Sequence, residues 1–134
     1  MSAVPKPRET LRMMIVDDSN VMRRRIERCQ QNDHLEVVAT AVNGVDAVAK
    51  FKQLMPDVMT LDLTMPEMDG IECVENLVKI KPDVLILIIS ALSDKATAIE
   101  ALKKGANGFL CKPFTDRQLT EALEELLRGA GNDD

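Results

Sequence analysis

The chain has 134 residues, of which 46% are hydrophobic and 29% charged, with a net charge of −5 and a pI near 4.9. One domain of this length buries roughly two-thirds of its unfolded surface and needs no staple. No apolar stretch nears the ~18 residues of a membrane span, and the acidic balance argues against non-specific binding to nucleic acid or anionic lipid. Cys29, Cys73 and Cys111 are odd in number and widely spaced, as expected of reduced thiols in a cytoplasm.

MSAVPKPRET, residues 1–10, lacks the apolar core of a secretory signal and reads as a flexible tail. Met13 to Val16 is the first apolar strand, followed by a helix with Met22, Ile26 and Cys29 inward. His34, in the polar run QNDH, belongs to a surface loop. Val37 to Ala41 is the second strand, and Val45, Val48 and Phe51 face the core from a helix that Pro56 closes. Val58 to Leu61 is the third; Ile71, Val74, Leu77 and Val78 follow on a helix stopped by Pro82. After the fourth strand, Val84 to Ile89, Ser93 can cap a helix through Ala96, Ile99 and Leu102 that ends at Gly105. Phe109 to Cys111 is the fifth strand. Thr115 with Gln118 makes a capping box for the last helix, which turns Leu119, Ala122, Leu123, Leu126 and Leu127 inward and ends at Gly129. Met13, Met14, Met55 and Met59 stand at core-like positions. The compact unit is then 11–128, with 129–134 as a second tail.

Five strand and helix alternations, with strands apolar on both faces, predict an α/β fold: a five-stranded parallel sheet covered by helices on both sides. Functional residues in such sheets gather beyond the carboxyl ends of the strands. There stand Asp17 and Asp18, Asp62, Ser90, and Lys112 followed by Pro113. Three carboxylates at ~4 Å repel by ~4 kcal/mol per pair at an effective dielectric of ~20, so something positive must keep them ionised. Hard oxygens without histidine or thiolate suit Mg²⁺, with Lys112 as a second positive charge and Ser90 as a hydroxyl donor. A carboxylate can itself attack phosphorus to give an aspartyl phosphate. Taken singly, each residue could be a helix cap, a turn residue or a solvated lysine. Their joint placement at four of five strand ends carries the functional reading.

IVDDSNVMRR, LDLTMPEMDG, IISA and FLCKPF, in that order, resemble the receiver domain of two-component response regulators, especially the stand-alone chemotaxis regulators of CheY type. The resemblance covers about residues 11 to 128 and implies a doubly wound, flavodoxin-like sheet of order 2-1-3-4-5, the order known for that family. It implies Asp62 as phospho-acceptor, Asp18 and Asp62 as direct ligands of Mg²⁺ (or Mn²⁺ in its place), and Asp17 acting largely through metal-bound water. The backbone carbonyl of Thr64, not its side chain, would be a further ligand. Ser90 and Phe109 match the switch positions, and Lys112 matches the family's lysine, its bond to Pro113 cis. Phe109 stands where many chemotaxis relatives have tyrosine, so a switch hydroxyl is absent.

The implied partners are a sensor histidine kinase and a downstream protein that reads the face of the fourth helix, fifth strand and fifth helix, where Lys95, Lys103 and Lys104 lie. Neither nucleic acid nor membrane insertion is implied. Arg23, Arg24, Arg25 and Arg28 read as a solvated helix face. Catalysis is limited to the domain's own phosphorylation and dephosphorylation, with output by protein contact, chemotaxis and the flagellar motor first. A phosphate sink, a relay intermediate or a regulator of another protein is the alternative. A flavin carrier needs a phosphate cradle where this chain has an acidic pair. An aspartyl-phosphate phosphatase of the haloacid dehalogenase class would carry its nucleophile after the first strand, in a D-x-D pattern.

Overall fold

A computed structural model describes residues 10–29, 35–65 and 69–131; the expected tail before Thr10 and His34 lie outside the described residues. The elements are β1 (Leu11–Val16), α1 (Asn20–Cys29), β2 (Leu35–Ala41), α2 (Gly44–Leu54), β3 (Val58–Asp62), α3 (Gly70–Ile80), β4 (Leu85–Ala91), α4 (Lys95–Lys103), β5 (Gly108–Lys112) and α5 (Asp116–Gly131). All strand pairs are parallel, in the order β2-β1-β3-β4-β5. β3 is buried along its whole length, whereas every residue of the edge strand β5 is half-buried.

The sheet separates two apolar layers. On one face Phe51 of α2, Val74 and Leu77 of α3, and Ala98 and Ala101 of α4 pack on Met14, Met59, Leu61, Ile86 and Ile88. On the other, Ile26 of α1 and Leu119, Leu123 and Leu126 of α5 pack on Met13, Ile15, Val58, Leu87 and Ile89. Alternate strand residues thus serve opposite layers, the expected consequence of a two-residue repeat.

Helix ends follow local chemistry. Asn43 Oδ1 accepts from Asp46 N at 2.7 Å to start α2, and Asp69 Oδ1 accepts from Glu72 N at 3.1 Å to start α3. The Thr115–Gln118 box closes in both directions, at 2.8 and 3.0 Å. Gly105 leaves α4 at φ 129°, and a Cβ there would stand 2.7 Å from Val78 Cγ2. At the amino edge of the sheet Arg12 N donates to Asp57 Oδ2 at 3.0 Å and Asp57 N returns a bond to Arg12 O at 2.8 Å. Lys81 Nζ pairs with Asp57 Oδ1 at 3.6 Å, tying the end of α3 to that junction.

Several expectations need correction. Val45 is 83% exposed, because Ala47 and Phe51 take the inward positions of α2. Met55 is not core: it caps α2 in the left-handed region at φ 48° and is 40% exposed. Ser93 does not cap α4; Leu92–Asp94 form a 3₁₀ turn, Asp94 holds the cap position without a side-chain bond, and Ala98 and Ala101 face inward while Ile99 is 43% exposed. Val84 precedes β4. Gly129 does not end α5, which continues to Gly131; a single glycine costs only ~1 kcal/mol in a helix already held by tertiary packing.

Candidate functional site

The strand register brings the predicted residues to one edge. Val16 pairs with Leu61, so Asp17 and Asp62 follow at the same level on neighbouring strands. Asp62 pairs with Ile89, one residue before Ser90, and Lys112 pairs with Ala91, one after it. The carboxylates of Asp17, Asp18 and Asp62 each offer an oxygen within 4.8 Å of the others. Asp17 and Asp62 are buried, at 1% and 2% exposure, while Asp18 opens the group to solvent.

Asp17 Oδ1 accepts from the Ser19 amide at 2.8 Å, and Ser19 Oγ in turn accepts from Met22 N at 3.2 Å, so one loop both shapes the acidic pair and starts α1. Asp17 Oδ2 is buried without a hydrogen-bond partner. Burial pushes the Asp17 carboxyl up from 3.8 to about 6; the Ser19 N–H opposes this, the Asp62 charge adds to it, Lys112 lowers it, and Asp18 raises it again. A buried carboxylate oxygen with no donor, among like charges, is a position that a divalent cation would satisfy. The donor set, oxygen alone, suits a hard cation.

Asp62 is held from two sides. Its Oδ1 accepts from the Thr64 amide at 2.9 Å and from the Thr64 hydroxyl at 2.6 Å, and its Oδ2 pairs with Lys112 Nζ at 3.3 Å. The Thr64 side chain therefore orients the Asp62 carboxylate, a role separate from the metal ligand expected of its carbonyl. The Lys112 ammonium is 28% exposed on the side chain, reachable from outside while resting on a buried carboxylate. The Lys112–Pro113 bond is cis, as expected.

Ser90 is fully buried and its Oγ has no hydrogen-bond partner. Ile88 and Ser90 share a face of β4, and Phe109, paired with Ile88, is half-buried against that same layer. Phe109 also lines a hollow of about 360 Å³ with Leu87, Leu102 and Leu126, between the ends of α4 and α5. A wider groove of about 490 Å³ between α2 and α3, lined by Val45, Val48 and Cys73, includes none of the three carboxylates.

Ile26 of α1 is buried as expected, but two of the four arginines depart from the solvated reading. Arg23 Nη1 donates to the Asp17 carbonyl at 2.6 Å, and its Nη2 donates to Asn20 Oδ1. Arg25 bonds Phe114 O and Asp116. Only Arg24 and Arg28 fit the solvated reading. A run of arginines carries no periodic signal that separates these uses; Phe114 and Asp116, 89 and 91 residues away, decide them.

Among known proteins, the profile of the response regulator receiver domain matches residues 13–124. The chemotaxis protein CheY of Listeria monocytogenes is 41% identical over 115 residues, covering 86% of this chain and 97% of that protein. CheY of Thermotoga maritima is 42% identical over 115 residues, covering 86% and 96%. The response regulator domain of Thermotoga maritima CheB, a crystal structure, superposes with a TM-score of 0.80 at 36% identity, covering 93% of this chain and 98% of that one. The five-stranded parallel order, the acidic group at its carboxyl edge and these matches over most of the sequence lead to one conclusion: the chain belongs to the response regulator receiver domain family.

Proposed function

We propose that this chain is a phosphorylation-activated signalling switch that accepts a phosphoryl group from a histidine kinase onto Asp62 and acts by protein contact. The observation that carries this reading is the Lys112 ammonium resting 3.3 Å from Asp62 Oδ2 beside three clustered carboxylates. Asp62 Oδ1 accepts two bonds from Thr64, whereas Oδ2 has only the Lys112 ammonium, which can pass to a phosphoryl oxygen and leave Oδ2 as the nucleophile. The bond from Oδ2 to phosphorus forms as the donor's phosphorus–nitrogen bond breaks, and the electron pair leaves with the imidazole nitrogen. Lys112 neutralises a phosphoryl oxygen in place, and the unpartnered Ser90 hydroxyl donates to another.

Asp17, Asp18 and Asp62, with the Thr64 carbonyl, would hold Mg²⁺, or Mn²⁺ in its place, which when bound offsets negative charge on the transferred group. The chain's own carboxylates provide that affinity, and the unpartnered Asp17 Oδ2 supports the fit. With Ser90 drawn toward the phosphoryl group, space opens on the face it shares with Phe109. The ring moves inward and reshapes the surface of α4, β5 and α5, where a downstream protein binds. Matching chemotaxis proteins over nearly their whole length supports motility control as the output. The functional unit is taken as 11–128, to which α5 adds a further turn as far as Gly131. No described helix is long and apolar enough to cross a membrane, and a cytoplasmic site of action follows from the proposed partners.

The test is incubation with acetyl phosphate and Mg²⁺, read by intact mass. Wild type gains one hydroxylamine-labile phosphoryl group and Asp62→Asn gains none; full labelling of that variant would move the nucleophile elsewhere.

A further inference from the structure

α1 grips two turns that bear on the site. Arg23 holds the Asp17 carbonyl. Arg25 reaches the turn that follows β5, and it does so in three ways. Its Nη2 donates to Phe114 O at 2.6 Å, its Nε pairs with Asp116 Oδ1 at 2.8 Å, and its guanidinium carbon lies 4.5 Å from the centroid of the Phe114 ring. Lys112 opens that same turn, two residues before Phe114. The long lysine stem can sweep its ammonium over a wide arc, so its residence on Asp62 depends on the backbone from which it starts. Phe114, 6% exposed, seats the turn in the core, but a ring in an apolar layer fixes depth better than it fixes rotation. A planar fork that bonds in two directions and stacks on the same ring removes that remaining freedom. The Arg25 side chain is 27% exposed, so its part-buried bond to Phe114 O is less weakened by water than an ordinary surface pair, while Asp116, 69% exposed, adds the weaker second contact.

We infer that Arg25 is a positioning residue for Lys112: by holding the Phe114–Asp116 turn from α1, it keeps the Lys112 ammonium at Asp62. The inference rests on the reading of Asp62 as phospho-acceptor, and Arg25 acts only through the turn. Neither lysine nor methionine can replace the fork, although methionine keeps the apolar stem that packs beside Phe114.

The experiment compares wild type, Arg25→Met and Arg25→Lys in the Lys112 and Lys112→Ala backgrounds. At saturating acetyl phosphate, Arg25→Met should slow phosphorylation roughly tenfold, the scale expected of a sub-ångström misplacement, while Mg²⁺ affinity by calorimetry stays within about twofold. Arg25→Lys should not restore the rate. In the Lys112→Ala background Arg25→Met should cost no more than about twofold, because the group it positions is gone. A wild-type rate in Arg25→Met, or an equal tenfold loss with and without Lys112, would overturn the inference. If wild type itself takes no phosphoryl group, the reading of Asp62 falls separately. The side-chain ¹⁵N resonance of Lys112 in metal-free protein then decides the matter: a shifted or broadened signal in Arg25→Met upholds the positioning role, and an unchanged one ends it.

Discussion

Asp17→Asn should make the metal-free protein more stable at pH 7. The Asp17 carboxyl is 1% exposed, one of its oxygens has no partner, and burial lifts it to about 6 from 3.8. A carboxyl whose folded value is raised contributes stability below its unfolded value and loses that contribution as pH rises through the folded one. For Asp17 the loss runs from pH 3.8 to about 6. A shift of two units corresponds to about 3 kcal/mol, and with Asp18 opening the site to water about 2 kcal/mol is the working figure. Asparagine keeps the acceptor for the Ser19 amide, places an NH₂ near the remaining carboxylates, and removes two of the three repulsive pairs. Urea denaturation in EDTA at pH 4 and pH 7 measures this, and other acidic groups cancel in the comparison. The variant should exceed wild type by about 2 kcal/mol at pH 7 and converge with it near pH 4. Millimolar Mg²⁺ should narrow the gap, since only a bound ligand adds RT ln(1 + [L]/Kd) to the folded state. A variant no more stable than wild type at pH 7, or parallel pH curves, would refute the reasoning.

Thr60 is fully buried with an unpartnered hydroxyl, so Thr60→Val should stabilise by about 1 kcal/mol in the same denaturation assay. Gly105→Ala, strained at φ 129° and 2.7 Å from Val78, should destabilise by about 2 kcal/mol, seen as a lower urea midpoint. Asp18→Ala should lower Mg²⁺ affinity at least roughly tenfold by calorimetry while its circular dichroism stays native, because Asp18 is exposed and makes no core contact. Lys112→Ala should retain Mg²⁺ binding yet weaken phosphorylation-dependent binding of a partner; equal partner affinity would remove Lys112 from the coupling.

The sheet and the acidic edge were legible because both are repeated signals. Five apolar runs with helical patterns between them dictate a parallel sheet, and its carboxyl edge then collects Asp17, Asp18, Asp62, Ser90 and Lys112 without further assumptions. The failures share a different cause. Val45 and Ile99 fit an apolar period, but Ala47, Ala98 and Ala101 take the buried positions, and alanine carries too weak an apolar signal to mark the inward face. The Thr64 hydroxyl bond to Asp62 depends on a turn geometry that a pattern cannot specify. The grip of Arg25 depends on a partner 91 residues away, and nothing local distinguishes it from Arg24.

The exposed side of β5 has a consequence for any partner. An edge strand offers a row of free amides and carbonyls onto which another chain could add a strand. β5 spans only five residues, ends in Lys112, and passes at once into Pro113, which has no amide hydrogen to donate. An added strand would therefore find few rungs, and none at the end nearest Asp62. In the proposed switch, recognition of this border would rest on side chains, whose positions change as Phe109 turns, and not on a main-chain ladder that would hold equally well before and after phosphorylation.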